Sequence, residues 1–350
     1  METYSGPLLT RDGFIQAEIE IEDNEIKNIE EGGDEGKNAM IIPSFFDSHT
    51  HLADSVVKEP PVGTIEEIVG PGGLKEKKLS QASEDQLVNS IRRYIKEMFS
   101  FGVTNFIDFR EGGIKGIRSL QRAVEGLDEE IKPSMMGRPE ERRFYENEIT
   151  RLLSMSDGIG LSAYRDWDES ELFRLVEEIR SQGKPLAMHC SEDVKEPVEK
   201  VLDLDVHHLV HMIEADRYDL EKCAEEDVPI VICPRSNMFF GKMPDIPKMV
   251  DSGVTISLGT DNAMITNSNI FREMETAYRI SRMKGGLPPI DILMMSTYNP
   301  RETLKLNPFH EDIEKYLVLE YREGDPAFNV VVNSTPSDII KRVWCEDAGI

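Results

Sequence analysis

An α/β fold built as a (β/α)8 barrel is predicted for this chain of 350 residues, and three observations predict it. Short apolar runs alternate with amphipathic helical patterns from about residue 41 to 305. Several of these runs end in a side chain able to bind a metal or move a proton, at His49, His51, His189, His211 and Asp261. Both ends of the chain carry strand patterns without intervening helices. A parallel barrel assembles its site in this way, from side chains at the ends of successive strands.

The elements follow in order. Phe14-Ile15-Gln16-Ala17-Glu18-Ile19-Glu20-Ile21 alternates apolar and polar residues, and Glu31-Gly32-Gly33-Asp34 is a turn, so residues 1 to about 40 read as short antiparallel strands. Met40 to Ser48 is a buried-strand run that delivers His49-Thr50-His51. Side chains at i and i+2 share one side of a strand, so the two imidazoles converge, which is half of a first-row metal site. Ser55 to Ser80, with Pro60-Pro61 and Gly70-Pro71-Gly72-Gly73, reads as a surface loop or a mobile lid. Helices are expected over Glu84 to Ser100, Asp168 to Gln182 and Asn269 to Lys284. Strands are expected near 103–108, 131–136, 158–163, 229–233 and 254–259. Pro185 to Met188 leads into His189 and Glu192, Val206 to Val210 into His211, and Val254 to Thr260 into Asp261. In the tail, Leu317-Val318-Leu319 and Phe328-Asn329-Val330-Val331-Val332 return to a strand pattern.

A lone histidine after a strand is more often a hydrogen-bonded core residue than a ligand. The chain has only seven histidines, and their repeated placement at strand ends overrides that reading. The net charge of −26 argues against nucleic acid or an anionic membrane as partner. The four cysteines, 190, 223, 233 and 345, form no Cys-x-x-Cys, which reads as reduced thiols in a cytoplasmic protein. No signal peptide and no apolar stretch long enough to cross a membrane is found. Nothing in the chain opposes assembly as a homo-oligomer.

Five segments carry a family resemblance: Ile42-Pro43-Ser44-Phe45-Phe46-Asp47-Ser48-His49-Thr50-His51, Met188-His189-Cys190-Ser191-Glu192, Leu209-Val210-His211, Cys233-Pro234-Arg235-Ser236-Asn237 and Leu258-Gly259-Thr260-Asp261. On these the chain resembles the amidohydrolase superfamily, in its cytosine deaminase/chlorohydrolase-like branch. The resemblance implies that both chain ends pair into a small β-sandwich, giving a composite domain of 1–40 and 312–350 beside a hydrolase barrel of 41–311. Glu323-Gly324-Asp325-Pro326 resembles the usual tail turn of that sandwich. Ile232 stands where many relatives carry a histidine.

Three imidazoles and one carboxylate, His49, His51, His189 and Asp261, suit one divalent ion, zinc first and iron second, with room for a water. Bound to such an ion, a water loses a proton near neutral pH and becomes the nucleophile. Asp261 is placed to take that proton, a role the resemblance also implies. His211 would stabilise the attacked centre, or serve as a fifth ligand; the resemblance makes it a hydrogen-bonding neighbour in one-metal members. The fourth strand, Gly158 to Arg165, offers no lysine to bridge a second ion. Glu192, three residues past His189, points to deamination, which needs a proton on a ring nitrogen and another on the leaving amine. Its bland reading is a helix-start residue stabilised by the dipole. The His-x-Glu and Pro-Cys-x-x-Cys set of the other zinc deaminases is absent, as is His-Glu-x-x-His.

Arg110, Arg138, Arg165 and Arg235 follow predicted strands, where a guanidinium suits a substrate carboxylate or phosphate. Arg110 leads this group, and internal salt bridging is the alternative for each. Asn237 and Arg235 are further candidates for substrate contact, while Trp167 and Phe239-Phe240 line the pocket or pack it. The expected function is therefore metal-dependent deamination of a small aminated heterocycle, purine-, pyrimidine- or pteridine-like, with or without an anionic group. An amidase or chlorohydrolase on the same metal is the rival, and a non-catalytic barrel scaffold the alternative of another class.

Overall fold

The computed structural model describes residues 1–127, 131–306 and 315–345. Two sheets organise it. The first holds β1 (Glu2–Thr10), β2 (Gly13–Glu22), β3 (Glu25–Glu31), β4 (Lys37–Asn38), β5 (Met40–Pro43), β15 (Lys315–Leu319) and β16 (Ile339–Trp344). β1 pairs antiparallel with β2 and parallel with β5, and the pairings β2–β3, β3–β16, β16–β15 and β15–β5 complete a ring of six strands. Asp23 and Asn24, at φ of 52° and 64°, make the two-residue hairpin between β2 and β3. Tyr4, Leu8, Ile19, Ile41, Val318 and Val343 fill the interior.

The expected sandwich is therefore corrected to a small closed barrel. β1 is long enough to pair on both sides, and closure removes the free edges that two open sheets would expose. β5, expected to open the large barrel, belongs here, and Ser44 is the residue at which the chain changes sheet. The boundary expected between residues 311 and 312 lies outside the described residues.

The second sheet is parallel and holds β6 (Phe45–His51), β7 (Val103–Arg110), β8 (Lys132–Gly137), β9 (Gly158–Leu161), β10 (Leu186–Cys190), β11 (His208–His211), β12 (Ile230–Ile232), β13 (Ile256–Leu258) and β14 (Asp261–Asn262). Its order runs β13-β12-β11-β10-β9-β8-β7-β6-β14. β13 and β14 are two halves of one pass, separated only by Gly259-Thr260, so the two ends of the sheet are the same piece of chain. Phe46, Ile107, Phe109, Met136, Ala187, Val210 and Val231 point inward and pack the barrel's centre.

The helices pack outside. Glu84–Ser100 forms as expected: Ser83 caps it reciprocally with Gln86, and Val88, Ile91, Ile95 and Met98 recur on one buried face. Glu169–Ser181 and Ile270–Met283 start at the N-caps Asp168 and Asn269. Residues 328–332 depart from the expected strand and are helical. Asp325 accepts the backbone N–H of Phe328, Asn329 bonds the Asp325 carbonyl, and Val330 and Val331 are buried in the outer core. Capping and burial override the β propensity of three valines. Among the described residues no helix is long and apolar enough to cross a membrane.

Candidate active site

The carboxyl ends of the parallel strands bring the expected residues together. His49 and His51 end β6, His189 lies in β10, His211 ends β11 and Asp261 starts β14. Register aligns them: Cys190 pairs with His211, Asp261 with Thr50, and Thr50 with Asp108. Ser191, His211 and Asp261 take positive φ, at 48°, 78° and 59°. Non-glycine residues seldom adopt this conformation, and its concentration here marks a site held against local preference. Gly259 is required by space, since a Cβ there would lie 2.7 Å from the backbone nitrogen of His49.

Ligand atoms of His49, His189, His211 and Asp261 all lie within 4.8 Å of one another. Nε2 of His51 stands 3.3 Å from Nε2 of His189 and 3.5 Å from Oδ1 of Asp261. The ring tautomers follow from their partners. Nδ1 of His189 faces the Leu161 carbonyl at 2.7 Å, and Nδ1 of His51 faces the Phe109 carbonyl at 3.1 Å and Oε1 of Glu111 at 2.8 Å. Acceptors there place each proton on Nδ1 and turn both Nε2 lone pairs toward one point. His49 is fully buried; its Nδ1 has no hydrogen-bond partner, and its Nε2 faces Oδ1 of Asp261 at 3.4 Å. Facing lone pairs and a fully buried neutral imidazole, beside a carboxylate, are a donor set suited to a divalent cation. The residues fit one ion.

Electrostatics agree with this reading. Burial pushes His49 down to about 3, so it is a neutral donor. Burial also holds His189 well below its ordinary value, with the neighbouring imidazoles and Arg138 adding to the effect. Burial would raise Asp261, but His49, His211 and His51 outweigh it and keep the carboxylate ionised. Ser236 Oγ fixes its other oxygen at 2.5 Å. Glu192 behaves in the opposite way: burial raises it, against the pull of His211 3.6 Å away.

A cavity of about 490 Å³ opens over these residues. Its polar wall includes His51, Arg138, His189, Glu192, His211 and Asp261, and its apolar rim Ile65, Val69, Pro71, Val194 and Phe240. The segment from 55 to 80 is more ordered than a loop: Ile65–Val69 and Leu74–Gln81 are helical, and this strap roofs the cavity. Two arginines from the sequence reading do not face the cavity. Arg110 is buried, with Asp108 at 3.3 Å and Glu111 at 2.6 Å, and Arg235 is held by Glu273 and Asn267. Arg138 and Arg165 line the cavity instead. Asn237 is fully buried and places its Nδ2 3.1 Å from Nδ1 of His211. Of the aromatic candidates, Phe240 lines the cavity and Trp167 packs in the outer core.

Sequence reasoning missed Glu111 and Lys75. Glu111 bonds His51, and Lys75 Nζ lies 2.7 Å from Glu111 and 2.9 Å from Asp54. Glu111 had a signal, since it follows the end of β7 directly. Lys75 had none, being one of several lysines in a polar stretch.

Comparison with known proteins gives a consistent picture. The model of the Amidohydrolase family matches residues 40–308. A putative aminohydrolase of Archaeoglobus fulgidus is 32% identical over 81% of this chain and 82% of its own length. A 5-methylthioadenosine/S-adenosylhomocysteine deaminase of Pyrococcus horikoshii is 26% identical over 83% of this chain and 78% of its own. Among solved structures, the zinc complex of an atrazine chlorohydrolase from Arthrobacter aurescens superposes with a TM-score of 0.75 at 15% identity, covering 97% of this chain and 95% of that one.

Proposed function

The chain belongs to the amidohydrolase family and is a hydrolase of carbon–nitrogen bonds, and we propose that it is an aminohydrolase of a small aminated heterocycle. The observation that carries this is Glu192, a partly buried carboxyl 3.6 Å from His211, lining the same cavity as Asp261 and raised by desolvation. Deamination needs a base that is ionised and an acid that is protonated. Asp261 is held below and Glu192 above the ordinary carboxylate range, which pushes the two toward those opposite roles on one cavity wall.

A divalent cation such as zinc, held by His49, His51, His189 and Asp261, would supply an acidified water as nucleophile. Asp261, whose carboxylate is kept ionised, would take up the proton that such a water gives up. Glu192 donates its proton to the ring nitrogen beside the attacked carbon, which lets the ring accept the incoming oxygen. His211 hydrogen-bonds the new oxygen substituent. The proton taken up by Asp261, relayed through Glu192 to the exocyclic nitrogen, would let the amine leave as ammonia when the C–N bond breaks, and the proton of the new hydroxyl would return to Glu192 as the carbonyl forms.

The similarity to a deaminase named for two adenosine derivatives supports an aminated purine first, ahead of pyrimidine and pteridine rings. The lining carries carboxylates at Glu66, Asp166, Glu192, Asp193, Glu196 and Asp261, against cations at Lys75, Arg138 and Arg165. That balance favours a neutral ring over an anionic one. The test is ammonia release by zinc- or iron-loaded protein across aminated bases, nucleosides and pterins. A metal-dependent product that vanishes in Asp261→Asn is expected. Silence across the panel from protein with one metal per chain would overturn deamination in favour of amide or halide hydrolysis.

A further inference from the structure

The strap over the cavity reaches the metal-binding residues through one oxygen atom. Oε1 of Glu111 receives Nδ1 of His51 at 2.8 Å and Nζ of Lys75 at 2.7 Å, with Nη1 of Arg138 at 3.3 Å. Its Oε2 is bound by Arg110 at 2.6 Å. Lys75 is the one strap residue in this cluster. It is buried, and its remaining contact is Asp54, a fully buried carboxylate just beyond His51 in sequence. We propose that Lys75 is a positioning residue for the metal-binding imidazole of His51, acting through Glu111, so that seating of the strap and the strength of the His51 donor are linked.

The physical argument is competition for one acceptor. A carboxylate oxygen that accepts only the His51 N–H draws the proton toward itself and makes Nε2 a stronger donor, but with no other partner on that oxygen the carboxylate can turn and leave the ring on the Phe109 carbonyl alone. An ammonium on the same oxygen withdraws that electron density and fixes the carboxylate in space. With Lys75 absent, Asp54 and Glu111 would face each other across the vacated position. Repulsion between them would turn Glu111 away from His51. Arg138 brings its positive charge beside a second imidazole, with Nη2 3.5 Å from Nδ1 of His189, which favours the neutral form of that ring. Salt bridges of Arg142 to Glu76 and of Lys78 to Glu59 hold the rest of the strap from outside.

This inference rests on the metal-binding reading, and the experiment separates the two. Full-length protein is stripped with a chelator and titrated with cobalt(II), whose visible absorption reports the number and geometry of its ligands. Wild type is expected to bind one equivalent. Glu111→Gln should lose about 10–100-fold in cobalt affinity, and Lys75→Met about 10-fold with a shifted absorption band. Lys75→Arg should restore most of the affinity, and Lys75→Met should add nothing further in a Glu111→Gln background. Wild-type affinity and spectrum in Lys75→Met would overturn the proposal, as would full additivity of the two changes. Should Lys75→Met not fold, Glu111→Gln carries the test, and unchanged affinity there overturns it. Absence of cobalt binding by the wild type would overturn the metal-binding reading itself.

Discussion

Oε2 of Glu192 lies 3.6 Å from Nε2 of His211, with both groups on the cavity wall. A partly buried carboxyl beside an imidazole can hold its proton and hand it on without leaving the site. Glu192→Gln keeps the shape and removes the relay. The variant should bind metal normally and lose about 10²–10⁴-fold in kcat for deamination, read by ammonia release under saturating substrate. Unchanged kcat would remove Glu192 from the mechanism.

Asn237 sets the orientation of His211. Its amide is the polar partner of Nδ1, in a pocket closed to solvent. Asn237→Leu has similar volume and no donor, so the ring would lose its anchor. A kcat reduced by about 10–100-fold with KM little changed is expected, by analogy with other partners that orient catalytic histidines. A raised KM with intact kcat would make Asn237 a substrate contact, as the sequence reading had it.

Metal removal should cost stability as well as activity. A ligand that binds only the folded state adds about 2.7 kcal/mol when free ligand stands at about a hundred times its Kd. Chelation should therefore lower Tm measurably, and added zinc should restore it. His49→Ala should show neither response, because it removes a fully buried donor that faces Asp261.

Glu273, which is not itself a proposed ligand, gives a pH dependence of its own. Burial pushes it up to about 8 against the attraction of Arg235, with Asp47 and Asp261 adding repulsion. A folded-state pKa above the ordinary value of 4.5 means that the native state holds the proton more tightly. Its contribution is then complete below the unfolded pKa and is lost as pH rises toward about 8. Thermal unfolding followed from pH 5 to pH 8 should show wild type losing Tm, by about a few degrees. Glu273→Gln should flatten that slope. Equal slopes would show that Glu273 is ionised in the native state beside Arg235.

Much of the site was legible in the sequence because strand ends obey simple arithmetic. His49 and His51 share a side by the period of two, and His189, His211 and Asp261 each follow a short apolar run. Arg110 illustrates the limit. Its position past β7 was readable, but its partners Asp108 and Glu111 fix its direction, and adjacent charges do not disclose which way they fold. Lys75 reaches the site only because the strap folds back over β6, which no local pattern encodes. The small barrel at the chain ends was legible as strands and not as a ring, since closure depends on β1 finding both β2 and β5. Val330 and Val331 misled because their tertiary environment outweighs their intrinsic preference.

The split final strand has a consequence for how the protein comes into being. Thr50 and Asp261 are neighbours across the seam where the ring of strands meets itself, so the last ligand arrives on the segment that joins the circle. A growing chain displays His49, His51, His189 and His211 well before Asp261 leaves the ribosome. Until then no fragment holds the full set of donors, and an ion captured early would find only an unfinished pocket. On the proposed ligand set, tight uptake of metal would be reserved for a finished ring, and a bound ion would act as a rivet across the join.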